Sequence, residues 1–159
     1  MSKVAVITGA GSGIGLATCE VFGKNGYTVI VTDYKEERGQ QVVDDLKKQQ
    51  IDAEFYLLDV TNEDQVNEQI QAIGEKYGKI DVVVNAAGGL GGRSRFEEMT
   101  TEFYRNVMAL NLDSVFFVTR AAIPFLKKSD NPSVINFSSI AGYNGGGPGA
   151  GIYGTSKGA

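Results

Sequence analysis

A chain of 159 residues with 42% hydrophobic and 21% charged residues is typical of one soluble globular domain, and we expect a single unit over residues 1–159. The formal net charge of −4 disfavours a nucleic-acid partner, which requires a basic face. The sequence has no histidine and one cysteine, Cys19, so we predict no metal site and exclude Ser-His-Asp and Cys-His catalysis.

Cys19 and the N-terminal sequence bear on where the protein acts. Cys19 has no partner for a disulfide, which fits a reducing compartment. No run approaches about 18 continuous apolar residues, the length that a membrane-spanning helix needs, and no signal peptide precedes the first strand pattern. We therefore expect a cytoplasmic protein with no membrane partner.

Short β-rich runs alternate with longer amphipathic stretches along the chain, and this alternation predicts parallel βαβ units. In chain order, strand 4–7 precedes helix 14–24, and strand 28–32 precedes helix 36–49. Strand 53–58 precedes helix 63–76, and strand 80–84 precedes a loop rich in Gly and Arg. A long helical region over 101–127, strand 133–137, a flexible glycine-rich run over 142–151 and a helix opening at 153–159 complete the chain.

The order of these elements predicts the architecture of the fold. Because βαβ crossovers are right-handed, we expect a doubly wound, Rossmann-type α/β fold with strand order 3-2-1-4-5 and helices on both faces of the sheet. Ligands of such folds bind at the carboxyl ends of the strands. The cluster Glu36-Glu37-Arg38 is interpreted as a solvated helix start and not as a binding patch.

A glycine-rich turn, TGAGSGIG over residues 8–15, lies between the first strand and the first helix. A helix N-terminus presents unpaired N–H groups and a positive dipole end, so it binds phosphate readily. Glycine allows the backbone to turn tightly and to approach a pyrophosphate without a Cβ. The spacing differs from the common G-x-G-x-x-G, and an ordinary tight turn would use the same residues.

Asp33 ends the second strand, 18 residues after Gly15, close to the ~20 expected of a carboxylate that binds the adenosine ribose. A carboxylate at this position would repel a 2′-phosphate, so it predicts NAD over NADP. Ser12 supplies no basic side chain to hold such a phosphate, which favours the same cofactor. The alternative role for Asp33 is a turn residue that caps the next helix.

Tyr153 and Lys157 are four residues apart and so share one face of a helix. An ammonium within about 4–6 Å can lower the pKa of a phenol by one to three units, which brings it nearer to useful proton transfer. Ser138 and Ser139 follow the fifth strand, and a hydroxyl there can stabilise charge that develops on a carbonyl oxygen. Each of these features alone is also compatible with an ordinary surface or loop residue.

Together, the motifs resemble those of the short-chain dehydrogenases/reductases of the classical type, over residues 3–159. They occur in the order TGAGSGIG at 8–15, Asp59-Val60, NAAG at 85–88, Asn111, Ser138-Ser139 and YGTSK at 153–157.

The resemblance implies a role for each matching residue. The glycine turn would hold the pyrophosphate of NAD through Gly9, Ser12, Gly13, Ile14 and Gly15. Asp33 would bind ribose, Asp59 and Val60 would contact adenine, and Asn85, Ala86, Ala87 and Gly88 would brace the central strands beside the cofactor. Tyr153 would be the general acid/base and, like Lys157, a cofactor-binding residue. Lys157 would tune Tyr153 and hold the nicotinamide ribose. Asn111 would anchor a proton-relay water, and Ser139, in preference to Ser138, would be the catalytic serine.

The reaction implied is reversible hydride transfer between C4 of nicotinamide and the carbon of a secondary alcohol or ketone. A 3-oxoacyl-thioester (acyl-carrier-protein) reductase shares these motifs, although Asp33 argues against the NADP preference that would favour it. The alternative of another class is a non-catalytic dinucleotide-binding fragment.

Members of this family normally continue well past the Tyr-Lys helix. We therefore expect a domain that is C-terminally incomplete relative to the family, with barely one helical turn holding Tyr153 and Lys157. The full-length parent is expected to be a homodimer or homotetramer, with Phe116, Ala122 and Phe125 on the long helix that pairs between subunits. Basic residues Arg93 and Arg95 could meet an acidic substrate, although a solvated loop is the simpler interpretation.

Overall fold

Five parallel strands form one sheet in the order β3-β2-β1-β4-β5, as the sequence predicts, in a computed structural model that describes residues 2–159. The strands are β1 (Lys3–Thr8), β2 (Tyr27–Asp33), β3 (Ala53–Leu57), β4 (Val82–Asn85) and β5 (Ser133–Asn136). The helices are α1 (Gly13–Lys24), α2 (Glu36–Lys48), α3 (Glu63–Tyr77), α4 (Thr101–Met108), α5 (Ser114–Leu126), α6 (Ile140–Asn144) and α7 (Gly151–Gly158).

The central strands are apolar at nearly every position because helices cover both faces of the sheet. Alternate residues of β1 point to opposite sides, so Val4 and Val6 pack with α3 and α5, while Ala5 and Ile7 pack with α1 and α2. Strand β5 is different: it forms an edge of the sheet and all four of its residues are exposed. The doubly wound architecture is thus confirmed, with its core divided into two layers.

The long helical region predicted over 101–127 is interrupted. Helices α4 and α5 are separated by a π-helical turn, Ala109–Asp113, and this turn carries Asn111. A π-helical turn inserts one residue into the helix, and such turns are frequent at functional sites. The amphipathic spacing of the sequence does not reveal it.

The run Thr101–Leu126 is, by length and composition, long and apolar enough to cross a membrane. In the structure it packs as a core helix does. Val118, Ala122 and Phe125 are buried between α3 and the sheet, whereas Phe116 is 56% exposed. Of the three residues expected on a subunit-pairing face, only Phe116 is therefore available on the surface.

The segment after β5 is more ordered than its glycine content predicts. Ser139 caps the short helix α6, with its Oγ accepting a hydrogen bond from the amide of Ala141 at 3.1 Å. Helix α7 begins at Gly151, two residues earlier than expected, so eight residues and not barely one turn hold Tyr153 and Lys157. The flexible run is thus replaced by a helix and a turn made of left-handed glycines at 145–147 and 149.

The carboxylate of Asp81 connects several segments at the amino-terminal end of the strands by hydrogen bonds. Its carboxylate accepts hydrogen bonds from the amide of Val4 at 2.8 Å, from Lys79 Nζ at 2.9 Å and from Ser129 Oγ at 2.5 Å. Burial alone would raise the pKa of Asp81, but the hydrogen bonds from Ser129, Lys79 and Val4 outweigh it and lower the pKa below the ordinary value.

We expect the substitution Asp81→Asn to lower the free energy of unfolding at pH 7 by about 1–3 kcal/mol, because three donors lose an ionised acceptor. A carboxyl whose pKa is lowered by folding stabilises the protein above its unfolded pKa of about 3.9 and loses that effect as the pH falls through its folded pKa. The difference between wild type and variant, measured by urea unfolding, should therefore shrink below about pH 4. Asp130→Asn, an exposed neighbour without such bonds, is the control, and an equal loss there would contradict the assignment.

Candidate active site

A cleft of about 450 Å³ opens at the carboxyl ends of β1, β2 and β4. It is lined by most of the residues that the sequence predicts for cofactor binding: Gly9, Ser12, Gly13, Ile14, Gly15, Asp33, Asp59, Val60, Ala86, Ala87 and Gly88. Asn85, Tyr153 and Lys157 are not part of its lining. The cleft also has walls from residues that sequence reasoning missed: Tyr34, Arg38, Leu58 and Leu110.

The turn between β1 and α1 requires glycine for steric reasons. Gly9 has a φ of 61°, and a Cβ built on it would lie 2.7 Å from the Cα of Ala87. Gly13 has a φ of 55°. Ser12 begins α1 without a side-chain hydrogen bond to the first turn, so the amides of that turn stay available as donors. A side chain at Gly9 would fill the space at this turn, and the free backbone amides of α1 can donate hydrogen bonds to a phosphate.

Asp33 acts as a turn residue, and its carboxylate also lies at the wall of the cleft. Its Oδ2 accepts a hydrogen bond from the amide of Gly11 and its Oδ1 one from the amide of Lys35, each at 2.9 Å. Lys35 is the N-cap residue just before α2, so Asp33 does act as a turn residue. It also lines the cleft, and each carboxylate oxygen keeps a second lone pair for a ribose hydroxyl.

Two asparagines hold the frame around the cleft. Asn85 Nδ2 donates to Asn136 Oδ1 at 2.8 Å and to Thr119 Oγ1 at 3.2 Å, which joins β4, β5 and α5. Asn111, buried in the π-helical turn, accepts from the amide of Gly89 at 3.0 Å and donates to the carbonyl of Gly89 at 2.9 Å. It also donates to the carbonyl of Val107 at 2.9 Å. Both of its amide hydrogens are thus used, so a relay water would have to bind its backbone carbonyl or the remaining lone pair of Oδ1.

Lys157 lies beside the cleft although it does not line it. Its Nζ donates to the carbonyl of Phe137 at 2.7 Å, and a Cβ on Gly88 would lie 3.2 Å from this nitrogen and 3.0 Å from Asn111 Oδ1. Burial lowers the pKa of Lys157 because the charged form loses hydration. Tyr153 is half-buried one helical turn earlier, and its hydroxyl makes no hydrogen bond within residues 2–159.

The two serines after β5 differ in what their hydroxyls can still do. Ser138 Oγ donates its hydrogen to the carbonyl of Lys157 at 2.6 Å. Ser139 Oγ only accepts, from the amide of Ala141, so its own hydrogen stays free to donate. The geometry therefore favours Ser139 over Ser138 as a donor to a substrate oxygen.

Helix α7 is positioned by direct backbone packing against α6. A Cβ on Gly142 would lie 2.9 Å from the carbonyl carbon and oxygen of Lys157, and a Cβ on Gly154 would lie 2.7 Å from the carbonyl oxygen of Ala141. These glycines let two helices approach without intervening side chains. The face that carries Tyr153 and Lys157 is fixed in this way relative to the end of β5.

Two hydrogen bonds attach the loop after β4 to the glycine-rich segment between α6 and α7. Arg93 donates to the carbonyl of Pro148 at 2.7 Å, and the amide of Ser94 donates to the carbonyl of Gly149 at 3.0 Å. Arg93 and Arg95 are both exposed, and the guanidinium of Arg93 is held against the carbonyl of Pro148 by this hydrogen bond.

Arg38 is exposed in the first turn of α2, which agrees with the predicted solvated helix start. It also lines the cleft together with Asp33 and Tyr34, which the sequence did not predict. The sequence offered one signal that could have revealed it. Arg38 follows Asp33 by five residues, in the first turn of the next helix, and this turn begins at the carboxyl end of the strands.

Comparison with known proteins establishes the family. A family model described as short chain dehydrogenase matches residues 3–159. The chain belongs to the short-chain dehydrogenase family. It is 39% identical over 155 residues to a 3-oxoacyl-[acyl-carrier-protein] reductase from Thermotoga maritima, and 36% identical over 157 residues to a cyclopentanol dehydrogenase from Comamonas testosteroni. The alignments cover 98% and 99% of this chain, but only 62% of each relative, so the chain spans less than two thirds of their length.

Solved structures agree with this membership. An NADH-dependent reductase in complex with NAD superposes with a TM-score of 0.92 at 36% identity, over 98% of this chain and 67% of the other. An NAD+-bound xylitol dehydrogenase superposes with a TM-score of 0.92 at 30% identity, over 99% of this chain and 60% of the other. The fold of this chain is thus that of its family.

We expect the pKa of Lys157 to lie below the ordinary lysine value, because burial removes hydration from its ammonium group and no carboxylate partner offsets that loss. An NMR titration of the lysine side chains should show one signal that titrates below the ordinary value of about 10.4. That signal should disappear in the variant Lys157→Gln. Its persistence would show that another lysine is the desolvated one.

Proposed function

We propose that this chain binds NAD(H) and belongs to an oxidoreductase that transfers hydride between nicotinamide C4 and a secondary alcohol or ketone carbon. The observation that carries the proposal is the arrangement of one cleft. A glycine cradle with free helix amides lies beside Asp33, and the face of α7 with Tyr153 and Lys157 follows beyond Gly88. When bound, the nicotinamide ring supplies the hydride acceptor or donor.

The residues of the chain supply binding and proton transfer. Tyr153 would move the proton at its hydroxyl, to or from the substrate oxygen, as general acid/base. Ser139 would donate its free Oγ hydrogen to the same oxygen and stabilise the charge that develops there. Lys157, held by the carbonyl of Phe137, would orient the nicotinamide ribose and stabilise an ionised Tyr153. Asn111 would hold the loop at Gly89 and, through its backbone carbonyl, a water on the proton path.

Cofactor binding is assigned to the cleft lining. The turn Gly9–Gly15 would hold the pyrophosphate, Asp33 the adenosine ribose, and Asp59 with Val60 the adenine. Asn85, Ala86, Ala87 and Gly88 would brace the strands on which the cofactor rests. Because a buried carboxylate opposes a 2′-phosphate, we propose NAD as the preferred cofactor. The NAD complexes named for two related structures support a nicotinamide cofactor.

The substrate and the assembly are wider proposals. A 3-oxoacyl-thioester is the alternative substrate class, supported by the relative from Thermotoga maritima. The alternative of another class is a dinucleotide-binding fragment without catalysis. We further propose that residues 1–159 act as one NAD-binding domain in the cytoplasm. We propose for the full-length protein a homodimer or homotetramer, to which the exposed Phe116 would contribute.

We expect isothermal titration of the 159-residue chain to show NADH binding that is tighter than NADPH binding. In Asp33→Asn, NADH affinity should fall roughly tenfold or more, since a charged hydrogen-bond acceptor to ribose is lost. The ratio of NADH affinity to NADPH affinity should fall, because the negative charge that repels the 2′-phosphate is removed. Circular dichroism of the variant controls for folding. A folded wild type that binds neither cofactor would refute the proposed function for this chain.

We expect Tyr153→Phe to lower turnover of ketones with NADH by about 100-fold or more, because the proton donor is removed. NADH affinity should stay within about twofold, since the lost hydroxyl contributes no ground-state hydrogen bond to the protein. Turnover is followed as loss of NADH absorbance over a panel of ketones. The control is Tyr143→Phe, a tyrosine that is 91% exposed. NADH binding without turnover in the wild type would favour the non-catalytic alternative, and retained turnover in Tyr153→Phe would refute the assignment of Tyr153.

A further inference from the structure

Ser114 is a buried hydroxyl at the end of the π-helical turn, and the proposed function gives it no role. It is 3% exposed and does not line the cleft. Its Oγ donates to the carbonyl of Leu110 at 2.6 Å. Leu110 is part of the cleft wall, and the next residue, Asn111, is the one bonded to Gly89. A side chain outside the cleft is therefore bonded directly to the turn that forms part of it.

The backbone amide of Ser114 shows why this hydroxyl is needed. The amide donates to the carbonyl of Ala109, five residues earlier, whereas in an α-helix it would donate to Leu110, four residues earlier. The π-helical turn thus diverts the donor that a regular helix would give to Leu110. The hydroxyl of the same residue donates to this carbonyl instead. Such a replacement stabilises the turn, because a buried carbonyl without a donor is costly.

Thr18 on α1 makes a similar bond in a regular α-helix. Its Oγ1 donates to the carbonyl of Ile14, four residues earlier, at 2.7 Å. In a regular helix the amide of Thr18 already serves that carbonyl, so the hydroxyl is a second donor. At Leu110 the hydroxyl takes the place of the amide, which distinguishes the bond of Ser114 from an ordinary one.

Resting on the proposed function, we propose that Ser114 is a positioning residue for the proton path through Asn111. Its hydroxyl holds the helix in the register that contains one inserted residue. Val118 and Ala122 fix α5 in the core. If the turn relaxed to an α-helix, the residues before it would therefore rotate by about 100° and move by about 1.5 Å along the axis. Asn111 would then leave Gly89, and the water proposed at its backbone carbonyl would leave the proton path.

The first test measures the helix register by NMR and needs no activity. The coupling through a hydrogen bond, between an amide nitrogen and a carbonyl carbon, should join Ser114 to Ala109 in the wild type. In Ser114→Ala this coupling should be lost or should move to Leu110, whereas Ser114→Thr keeps the hydroxyl and should retain it. Thr18→Ala, which removes the similar bond from a regular helix, is the control and should leave the coupling unchanged.

Two results of this measurement would overturn the inference. One is a coupling from Ser114 to Leu110 in the wild type, and the other is an unchanged coupling to Ala109 in Ser114→Ala. If Ser114→Ala does not fold by circular dichroism, the wild-type coupling decides the register.

The second test measures the proton path. In Ser114→Ala, kcat for ketone reduction with NADH should fall roughly tenfold, because the relay is displaced, and KM for the ketone should stay within about twofold. Added imidazole should raise kcat of the variant and not of the wild type, since a small buffer acid can deliver the proton instead. A merely structural loss would not respond to imidazole, so an unresponsive variant would overturn the role in the proton path.

The outcomes separate this inference from the proposed function. A folded wild type that neither binds NADH nor reduces ketones would overturn the proposed function and the proton path with it, while the NMR coupling would still decide whether Ser114 sets the register. Turnover in the wild type together with an unchanged kcat in Ser114→Ala would overturn this inference alone.

Discussion

A parallel sheet covered on both faces is the constraint on which the rest of this molecule depends. Buried strands such as β1 and β4 have no exposed face for a polar site, so chemistry can be placed only where the strands end. The two ends have different roles here. Asp81 ties the amino-terminal end through Val4 and Ser129, whereas the carboxyl end opens into the cleft. The carboxylate of Asp81 and the cleft-lining carboxylate of Asp33 therefore lie at opposite ends of the strands of one sheet.

At the carboxyl edge, backbone packs against backbone at two places, and glycine is what allows both. Gly9 approaches Ala87 and so joins the first turn to the loop after β4, while Gly142 approaches Lys157 and joins α6 to α7. Side chains at these positions would separate the segments that must meet. The short distances between cradle, loop and helix thus follow from missing Cβ atoms more than from specific side-chain bonds.

The alternation of strands and helices predicted the strand order, because buried strands leave strong local patterns, whereas most of the cleft lining was implied by the family resemblance. The sequence did not predict the π-helical turn around Asn111, since one inserted residue hardly changes an amphipathic pattern over 26 residues. Helix α6 was missed because glycines at its end suggest flexibility, although Ser139 caps its start. The cleft position of Arg38 depends on how the first turn of α2 faces the glycine turn, a tertiary relation that spacing alone does not contain.

Lys157 shows how the site depends on the fold for its chemistry. Its charge is partly desolvated, which would cost stability, and the carbonyl of Phe137 offsets part of that cost by accepting its hydrogen bond. The backbone carbonyl of Lys157 in turn accepts a hydrogen bond from Ser138. The segment just after β5 therefore binds α7 through both the side chain and the backbone of Lys157. A lysine held in this way has little rotational freedom left to lose when a ligand arrives. The same two bonds that anchor the helix therefore also prepare its ammonium group for the cofactor proposed to lie beside it.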